Sequence, residues 1–416
     1  MRHLCLYFQV HQPFRLRHYR FFDIGHRDNY FDEGYNAFIM NKVAEKCYRP
    51  ANRLLLELIR KSEGRFKICY SISGTALDQF EAYAPDVLDS FKELASTGQV
   101  EFLAETSAHS LSSLKSEAEF RDQVTEHAVR IEKLFGQYPT VLRNTELIYS
   151  DHIGEMANKL GFKAMLTEGA DRILGWRSPN YLYRHPDHGL KLLLKNYKLS
   201  DDIAFRFSDP NWSERPLTAD KFVHWLNAVP YDEPIVNLFM DYETFGEHQW
   251  AESGIFEFLR ALPGRTLSHS SYEFSTPSEV IDRLDPVARL SIPYPISWAD
   301  EARDLSAWLS NDLQRDAFES LYRLKKQVDS CDDRRLVNAW RYLQTSDHFY
   351  YMCTKYFADG DVHKYFNHYN SPYEAYINYM NVLSDFEMRL EESVKQKVLT
   401  KTKSILDELE PQLSSN

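Results

Sequence analysis

Acidic and histidine side chains gather directly after one apolar run of the chain, within residues 234–250. The run itself, residues 235–240, is rich in Val, Ile, Leu and Phe, which is typical of a strand buried on both faces. It is followed by Asp241, Glu243 and His248. Carboxylates at the end of a buried strand cost free energy unless they form a site. Because the carboxyl ends of strands carry the chemistry in parallel α/β folds, we interpret this segment as functional rather than as a capped turn.

Two other predicted strands end in the same way. The run 3–10 stops at His11, since the proline two residues later cannot donate a hydrogen bond to a sheet. The run 140–142 leads into Glu146. Glu146 and Asp241, on different strand ends, can face each other across a barrel mouth, which is the minimum apparatus for cleaving a glycosidic bond. With 61 acidic residues in the chain, the pair alone does not identify an enzyme.

The elements that must position these side chains alternate between short apolar runs and helical patterns. The predicted strands are residues 3–10, 66–73, 100–105, 140–142, 162–167, 190–197 and 235–240. The predicted helices among them are residues 35–62, with a break at Pro50, and residues 74–94, 116–135, 151–160 and 218–229. This alternation predicts βα units and a parallel sheet. Residues 170–189, rich in Arg, Pro, Gly and Tyr, are predicted to form a long loop over the site.

The pattern changes after residue 300. The predicted helices there are residues 312–327, 336–357, 372–390 and 391–409. Almost no strand signal accompanies them. We therefore predict an α/β barrel over residues 1–300, followed by a helical C-terminal domain over residues 301–416.

Composition excludes several classes of protein. The net charge of −12 argues against nucleic acid as the partner, because phosphate binding needs basic surface. Five cysteines, an odd number without any CxxC motif, suit a reducing compartment with free thiols better than a disulfide framework. Apolar runs do not reach membrane-spanning length, and the first strand-like run lacks the features of a signal peptide. We therefore expect a cytoplasmic protein without a membrane partner.

An ordered set of motifs resembles glycoside hydrolase family 57, and most closely its α-amylase branch. The motifs are HQP (11–13), GTALDQ (74–79), RNTELIY (143–149) and MDYETFG (240–246), with WLSND (308–312) as a fifth. Each motif alone is unspecific, but the set in this order is specific. One departure is Asp78, where relatives often carry Glu. Trp250 stands close to His248, near which several relatives carry a tryptophan.

The resemblance implies both a fold and a mechanism. The fold would be an incomplete TIM-type (β/α)7 barrel with a helical domain that contributes to the substrate groove. Glu146 would be the nucleophile and Asp241 the general acid and base, cleaving α-1,4-glucans with retention and without a metal or cofactor. The residues expected to bind the substrate are His11, Asp78, His109, Glu243, His248, Trp250, Trp308 and Asp312.

Three alternatives remain open at this point. A 4-α-glucanotransferase or branching enzyme of the same family would use the same pair, with a sugar hydroxyl as the acceptor in place of water. A polysaccharide deacetylase would need an early Asp and a His-x-x-x-His pair, whereas His185 and His188 are three residues apart in a loop with a proline. A non-catalytic glucan-binding protein would be expected to have lost one of the two carboxylates.

Overall fold

The computed structural model describes residues 2–355 and 367–413, which form two compact units. Residues 2–13 and 34–307 make up the first, here called the barrel unit. The second, the helical unit, comprises the described residues of 14–33 and 308–413. The sequence pattern assigned residues 14–33 to the barrel, whereas the structure groups them with the C-terminal helices.

The strands all lie in the barrel unit, as far as the structure describes the chain. They are β1 (Arg2–Val10), β2 (Ile68–Ile72), β3 (Val100–Phe102), β4 (Val141–Arg143), β5 (Ala164–Glu168), β6 (Tyr183–Arg184), β7 (Lys191–Lys195), β8 (Ile235–Asp241), β9 (Tyr272–Phe274) and β10 (Ala288–Arg289). The predicted strands correspond to β1–β5, β7 and β8.

These seven predicted strands form a parallel ring. In one sheet the order is β3-β2-β1-β8, and in the other β7-β5-β4 are neighbours. A parallel bridge between Ala104 and Leu142 joins β3 to β4. The Asn196 N–H, just after β7, donates to the Asn237 carbonyl of β8 at 2.9 Å. The predicted (β/α)7 barrel is confirmed, and its parallel strands direct all their carboxyl ends to one mouth.

The strands that the sequence did not predict are short and peripheral. β6 pairs antiparallel with β7, and β10 pairs with β6. β9 lies beside the first residues of β1. Each has two or three residues, too few for an alternating pattern to be visible. The predicted loop 170–189 therefore contains β6 and one short helix.

The helices of the barrel unit mostly follow the strands they connect. They are α1 (Glu33–Val43), α2 (Arg49–Lys61), α3 (Gly74–Tyr83), α4 (Pro85–Ser96), α5 (Glu117–Phe135), α6 (Asp151–Lys159), α7 (Asp171–Leu174), α8 (Tyr197–Ala204), α9 (Ala219–Ala228), α10 (Ile255–His269) and α11 (Pro277–Arg283). The predicted helix 74–94 is in fact two helices, because Pro85 opens a new one. The predicted helix 35–62 is interrupted by a π-helical turn, Ala44–Tyr48, and not at Pro50, which lies in the first turn of α2.

The remaining helices build the helical unit, with α12 at the boundary. They are α12 (Ser306–Leu309), α13 (Asp312–Arg323), α14 (Lys325–Asp329), α15 (Arg334–Leu343), α16 (Ser346–Tyr350) and α17 (Pro372–Leu413). The predicted helix 336–357 corresponds to α15 and α16, and its last two residues lie outside the described part of the chain. The two predicted helices 372–390 and 391–409 are one continuous helix, α17.

Residues 14–33 belong to the helical unit because their backbone binds α17. The Asn378 side chain accepts a hydrogen bond from the Tyr19 N–H at 2.6 Å. Asp385 accepts from the Gly25 N–H at 2.6 Å and from the Tyr30 hydroxyl at 2.7 Å. The sequence signal for these contacts is absent, since the partners are more than 350 residues apart.

The barrel interior is apolar below its mouth and polar at it. Buried residues such as Cys5, Tyr7, Val141, Leu166 and Phe239 form one hydrophobic cluster. Side chains point alternately to the two faces of a strand, so a further set points into the barrel at or just after the last residues of the strands. These are Gln9, Glu105, Arg143, Glu168, Lys195 and Asp241. Charged side chains therefore lie at the mouth end of the barrel.

The cysteines and the helices bear on the predicted environment of the protein. All five cysteines, Cys5, Cys47, Cys69, Cys331 and Cys353, are buried and lie outside any disulfide. Among the described residues, the helices are all too short or too polar to cross a lipid bilayer.

Candidate active site

Glu146 lies in a strained turn just after β4. The turn Thr145–Leu147 holds Glu146 at φ 57° and Leu147 at φ 51°, in the left-handed region that most residues avoid. The Asn144 amide closes the turn by donating to the Ile148 carbonyl at 2.8 Å. The Glu146 side chain is only 3% exposed. A buried carboxylate held by a strained backbone is typical of a functional site.

Both oxygens of the Glu146 carboxylate accept hydrogen bonds. His109 Nε2 lies 3.1 Å from Oε1. The indole Nε1 of Trp298 donates to Oε2 at 2.7 Å, and the Trp298 backbone N–H donates to the Glu146 carbonyl at 3.2 Å. Donors on a carboxylate favour its ionised form. Glu146 is therefore fixed in orientation and suited to carry a negative charge.

His109 is enclosed between two carboxylates. Its Nδ1 lies 2.9 Å from Glu105 Oε2, while its Nε2 faces Glu146. Burial alone lowers the pKa of His109, but hydrogen bonds to Glu105 and Glu146 raise this pKa to about 9. At neutral pH the ring is an imidazolium that donates from both nitrogens. Its face stacks on His11, with ring centroids 3.8 Å apart.

Further charged side chains surround His109 and Glu146. Burial on its own raises the pKa of Glu105, but the hydrogen bond from His109 and the charge of Arg143 contribute to lowering it overall. The Arg143 guanidinium is 3.9 Å from Glu105 and 4.8 Å from the centroid of a Trp298 ring. Lys195 Nζ lies 5.4 Å from a Trp298 ring centroid. Two cations therefore support the indole that donates to Glu146.

Asp241 leaves β8 at the same end of the barrel as His11 leaves β1. The register pairs Asp241 with Gln9, two residues before His11. Glu243 is buried and accepts hydrogen bonds from the Tyr48 hydroxyl and, at 3.4 Å, from the Gln12 amide. Burial, and then the charge of Asp241, raise the pKa of Glu243 to about 8.

The π-helical turn supplies the partner of Glu243. A π turn inserts one residue into a helix and re-aims the side chains on it. Here it directs Tyr48 to Glu243, and it directs the Cys47 thiol to the Tyr242 carbonyl at 3.2 Å. Gly246, at φ 111°, lies so close to the turn that an added Cβ would be 1.9 Å from the Lys46 carbonyl oxygen. Only glycine fits there.

His248 and Trp250 follow on the same loop. The His248 N–H donates to the Glu243 carbonyl at 2.9 Å. The Trp250 indole is 57% exposed, with Lys46 Nζ 5.7 Å from a ring centroid. An exposed indole near a site has a free face for a sugar ring, so the prediction that Trp250 binds substrate stays a prediction.

Three predicted substrate-binding residues have other partners in the structure or lie in the other unit. Asp78 pairs with Arg130 of α5 at 2.6 Å. Trp308 belongs to the helical unit and is fully buried. Asp312, in the same unit, is exposed and pairs with Arg315 at 2.7 Å. That these residues contact substrate stays a prediction.

Sequence reasoning missed Trp298, Glu105, Arg143 and Tyr48. Glu105 had a usable signal, because it ends the predicted third strand just as acidic residues end others. Trp298 had none, since it is 152 residues from Glu146 in a segment with two prolines. Its role depends on long-range packing alone.

Comparison with known proteins identifies the family of the chain. The family model described as Glycosyl hydrolase family 57 matches residues 5–293. The chain belongs to this family. It is 46% identical over 401 residues to a Methanocaldococcus jannaschii protein described as "Putative alpha-amylase", which covers 92% of this chain and 84% of that protein.

Two solved structures have the same fold as this chain. The α-amylase AmyC from Thermotoga maritima has a TM-score of 0.63 at 15% identity, covering 95% of this chain and 96% of its own. The 4-α-glucanotransferase from Thermococcus litoralis has a TM-score of 0.60 at 16% identity. The match covers 83% of this chain but 55% of the transferase, so this chain spans about half of that protein.

The described residues do not form the ligand set that a metal-dependent deacetylase would need. Within residues 2–355 and 367–413, no group of three or more His, Cys, Asp or Glu side chains is placed so that it could hold a metal ion. His185 Nε2 lies 2.9 Å from the Asp151 carbonyl, and its Nδ1 accepts from the Asp187 N–H at 3.1 Å. Its ring stacks on His188, with centroids 3.6 Å apart. We interpret these two histidines as loop-packing residues.

Proposed function

We propose that this glycoside hydrolase cleaves α-1,4-glucosidic bonds in starch-type or glycogen-type glucans with retention, as an α-amylase. The observation that carries the proposal is the setting of Glu146, a buried carboxylate fixed by two side-chain donors. The name of the M. jannaschii relative supports the substrate class. Glu146 is the proposed nucleophile and Asp241 the proposed general acid and base.

In the first step a Glu146 oxygen attacks the anomeric carbon and the glycosidic bond breaks. Asp241 gives its proton to the departing oxygen, so the leaving group is neutral. The charge of Glu146 is consumed in the new ester. The His109 and Trp298 donors hold the carboxylate in one orientation before the attack, which lowers the entropic part of the barrier.

In the second step water attacks the same carbon and the ester bond breaks. Asp241, now ionised, takes the proton from that water and returns to its starting state. Glu146 leaves as a carboxylate. The donated hydrogen bonds of His109 and Trp298 strengthen as this negative charge develops, so they assist the second step more than the first.

Glu243 tunes the surroundings of Asp241. With its pKa raised to about 8 by burial and by the Asp241 charge, Glu243 is mostly protonated at pH 7. Once Asp241 has given its proton to the departing oxygen, a second ionised carboxylate two residues from it is thereby avoided. We propose that neutral Glu243 binds a substrate hydroxyl while Tyr48 fixes its side chain.

Product analysis tests the proposal. The protein is incubated with soluble starch and, separately, with a single maltooligosaccharide, with Glu146→Gln protein as the blank. Hydrolysis releases new reducing ends and only shorter products. Disproportionation of the oligosaccharide into longer and shorter chains, without new reducing ends, would instead favour the glucanotransferase alternative. NMR before mutarotation should show α-anomers, and initial β-anomers would reject retention.

We also propose a cytoplasmic location, supported by five buried cysteines that lie outside any disulfide. Thiol titration of unfolded, non-reduced protein from its native source is expected to detect all five thiols. A smaller number would indicate a disulfide and argue for an oxidising compartment.

A further inference from the structure

Trp298 belongs to a short segment that closes on itself. Residues 297–304 are here called the Trp298 loop. The Ser297 N–H donates to the Arg303 carbonyl at 3.1 Å, and the Ser297 hydroxyl donates to the Asp304 carbonyl at 2.7 Å. The two ends of the loop are thus joined. A displacement of Arg303 is therefore transmitted to Ser297 and to the neighbouring Trp298.

The Arg303 side chain contacts the charged side chains at the mouth of the barrel. Its Nη1 lies 3.2 Å from Glu168 Oε2, at the end of β5. Its Nη2 lies 3.6 Å from Asp201 Oδ2 of α8. The guanidinium also stacks 4.1 Å from the ring centroid of Tyr197. Lys195, which neighbours the Trp298 indole, shares both acidic partners, at 3.9 Å from Glu168 and 2.9 Å from Asp201.

The backbone of the Trp298 loop is strained at its anchor. Arg303 has φ 47° and Asp300 has φ 51°, both in the left-handed region. A residue with a Cβ keeps this conformation only when surrounding contacts impose it. The Arg303 side chain, 13% exposed, supplies such contacts through the ion pairs with Glu168 and Asp201.

We propose that Arg303 is a positioning residue for the glycosidase reaction: its ion pairs with Glu168 and Asp201 hold the Trp298 loop where the indole N–H reaches Glu146. The inference rests on the proposed role of Glu146 as the nucleophile. It adds that Arg303, through the loop that it anchors, controls a side-chain donor to the nucleophile. Glu168 at the end of β5 and Lys195 at the end of β7 are thus connected, through Arg303 and the Trp298 loop, to Glu146 after β4.

The test is a double-mutant cycle of Arg303→Met and Trp298→Phe. Because the indole donor is lost in either variant, Glu146 loses its fixed orientation for the first step and its stabilisation as it leaves in the second, so kcat is expected to fall about tenfold or more in each and kcat/KM by a smaller factor. The double variant should lose no more than Trp298→Phe alone, since both changes remove the same donor. Arg303→Lys keeps one charge near Glu168 and should recover part of the activity.

The pH profile separates positioning from a general loss of structure. Without a donor on Glu146, its neutral form is less disfavoured, so the acidic limb of kcat/KM against pH should move to higher pH in Arg303→Met and Trp298→Phe. Arg283→Met is the matched control, because Arg283 also bridges two carboxylates, Glu273 at 2.6 Å and Glu279 at 3.8 Å. It should leave kcat/KM and the limb unchanged.

Wild-type kinetics in Arg303→Met, or additive losses in the double variant, would overturn the positioning role. If Arg303→Met does not fold, Arg303→Gln, which removes the charge but keeps a polar side chain, takes its place: an unshifted acidic limb with wild-type kcat and kcat/KM in that variant would equally reject the proposal. Glu146→Gln, assayed in parallel, keeps the two proposals apart. Full activity in that variant would refute the nucleophile assignment, whereas an inactive Glu146→Gln with a wild-type-like Arg303→Met would refute the Arg303 role only.

Discussion

The barrel mouth and the core of the helical unit bury polar side chains in different ways. At the mouth, charges face charges: Arg143 faces Glu105, and Lys195 faces Glu168. The helical core also contains a buried carboxylate, Asp385, which pairs with Arg389 at 2.6 Å, but it satisfies neutral donors with backbone carbonyls as well. The Trp340 indole donates to the Leu321 carbonyl at 3.2 Å and the Tyr379 hydroxyl to the Leu343 carbonyl at 2.9 Å. Neutral donors are sufficient to satisfy a fold. Buried charges cost more, so their concentration at one mouth indicates chemistry.

Two buried histidines show the same difference between the barrel mouth and the helical unit. His109, between Glu105 and Glu146, has its pKa raised to about 9. His348 of the helical unit has Nε2 3.2 Å from the Tyr342 carbonyl, and burial lowers its pKa to about 4. Burial acts on both rings in the same direction. Carboxylates at both nitrogens reverse its effect in His109, so the raised pKa comes from the proposed active site and is not a property of buried histidines in general.

The largest expected effect comes from neutralising the proposed nucleophile. Glu146→Gln keeps the size of the side chain but cannot attack the anomeric carbon, so kcat on soluble starch should fall by a factor on the order of 10⁴ or more. Glu392→Gln, the same change on an exposed position of α17, is the control and should keep wild-type kcat. Appreciable activity in Glu146→Gln would mean that the buried charges at the barrel mouth do not indicate a catalytic site, and the contrast with the helical core would then have no functional meaning.

Asp241→Asn is expected to have the next largest effect. Loss of a general acid and base costs on the order of 10²- to 10⁴-fold. The loss should be smaller for a first step with a good leaving group, because protonation of the departing oxygen is then unnecessary. The measurement compares kcat/KM for an aryl maltooside or a maltosyl fluoride with kcat/KM for a maltooligosaccharide. Equal losses on all substrates would contradict the acid role.

The opposite pKa shifts of His109 and His348 predict opposite dependences of stability on pH. The pKa of His109 in the folded state is above its unfolded value of 6.5. Its stabilising contribution, on the order of 3 kcal/mol, is therefore complete below pH 6.5 and disappears as the pH rises through about 9. The difference in the free energy of unfolding between wild type and His109→Gln should shrink over that window. A constant difference would reject an imidazolium at this position.

His348 should behave in the reverse sense. Its folded pKa of about 4 is below the unfolded value. Its contribution is present above pH 6.5 and is lost as the pH falls towards 4, again with a magnitude on the order of 3 kcal/mol. Denaturant unfolding of wild type and His348→Gln from pH 7 to pH 4 measures it. A gap that widens on acidification would contradict the assignment of a neutral ring.

The smallest expected effect is that of the Tyr48 hydroxyl. Tyr48→Phe removes a donor from Glu243, so kcat/KM should fall about three- to tenfold, as for one hydrogen bond. Tyr30→Phe removes a similar bond to Asp385 in the helical unit. This control should lower thermal stability and leave kcat/KM unchanged. If both variants lost activity equally, Tyr48 would have no special relation to the site.

The sequence predicted those features that local pattern encodes. The seven barrel strands are visible because each is an apolar run between helical patterns, and Glu146, Asp241 and His11 are visible because they follow such runs. The same rule, applied to the end of the third strand, would have included Glu105. The sequence predicts the helix break at Pro50, whereas the structure has it earlier, at the π turn, because proline fits the first turn of a helix and the π turn leaves no residue signature.

Features that depend on tertiary contact were not predictable. That His109 binds substrate stays a prediction, but its contacts with Glu105 and Glu146 cannot be read from the sequence. Trp298 reaches Glu146 from a segment without strand or helix pattern. The segment 14–33 joins the helical unit through side chains of α17 that lie far along the chain. In each case the partner is decided by packing between distant segments, which a local pattern does not contain.

Trapping the glycosyl-enzyme tests the central claim most directly. Asp241→Asn protein is mixed with α-maltotriosyl fluoride, whose leaving group needs no acid, while the missing base slows the attack of water. The account predicts a protein heavier by one maltotriosyl group, with the added mass on the peptide that contains Glu146. An adduct on any other residue would contradict the assignment of Glu146 as the nucleophile.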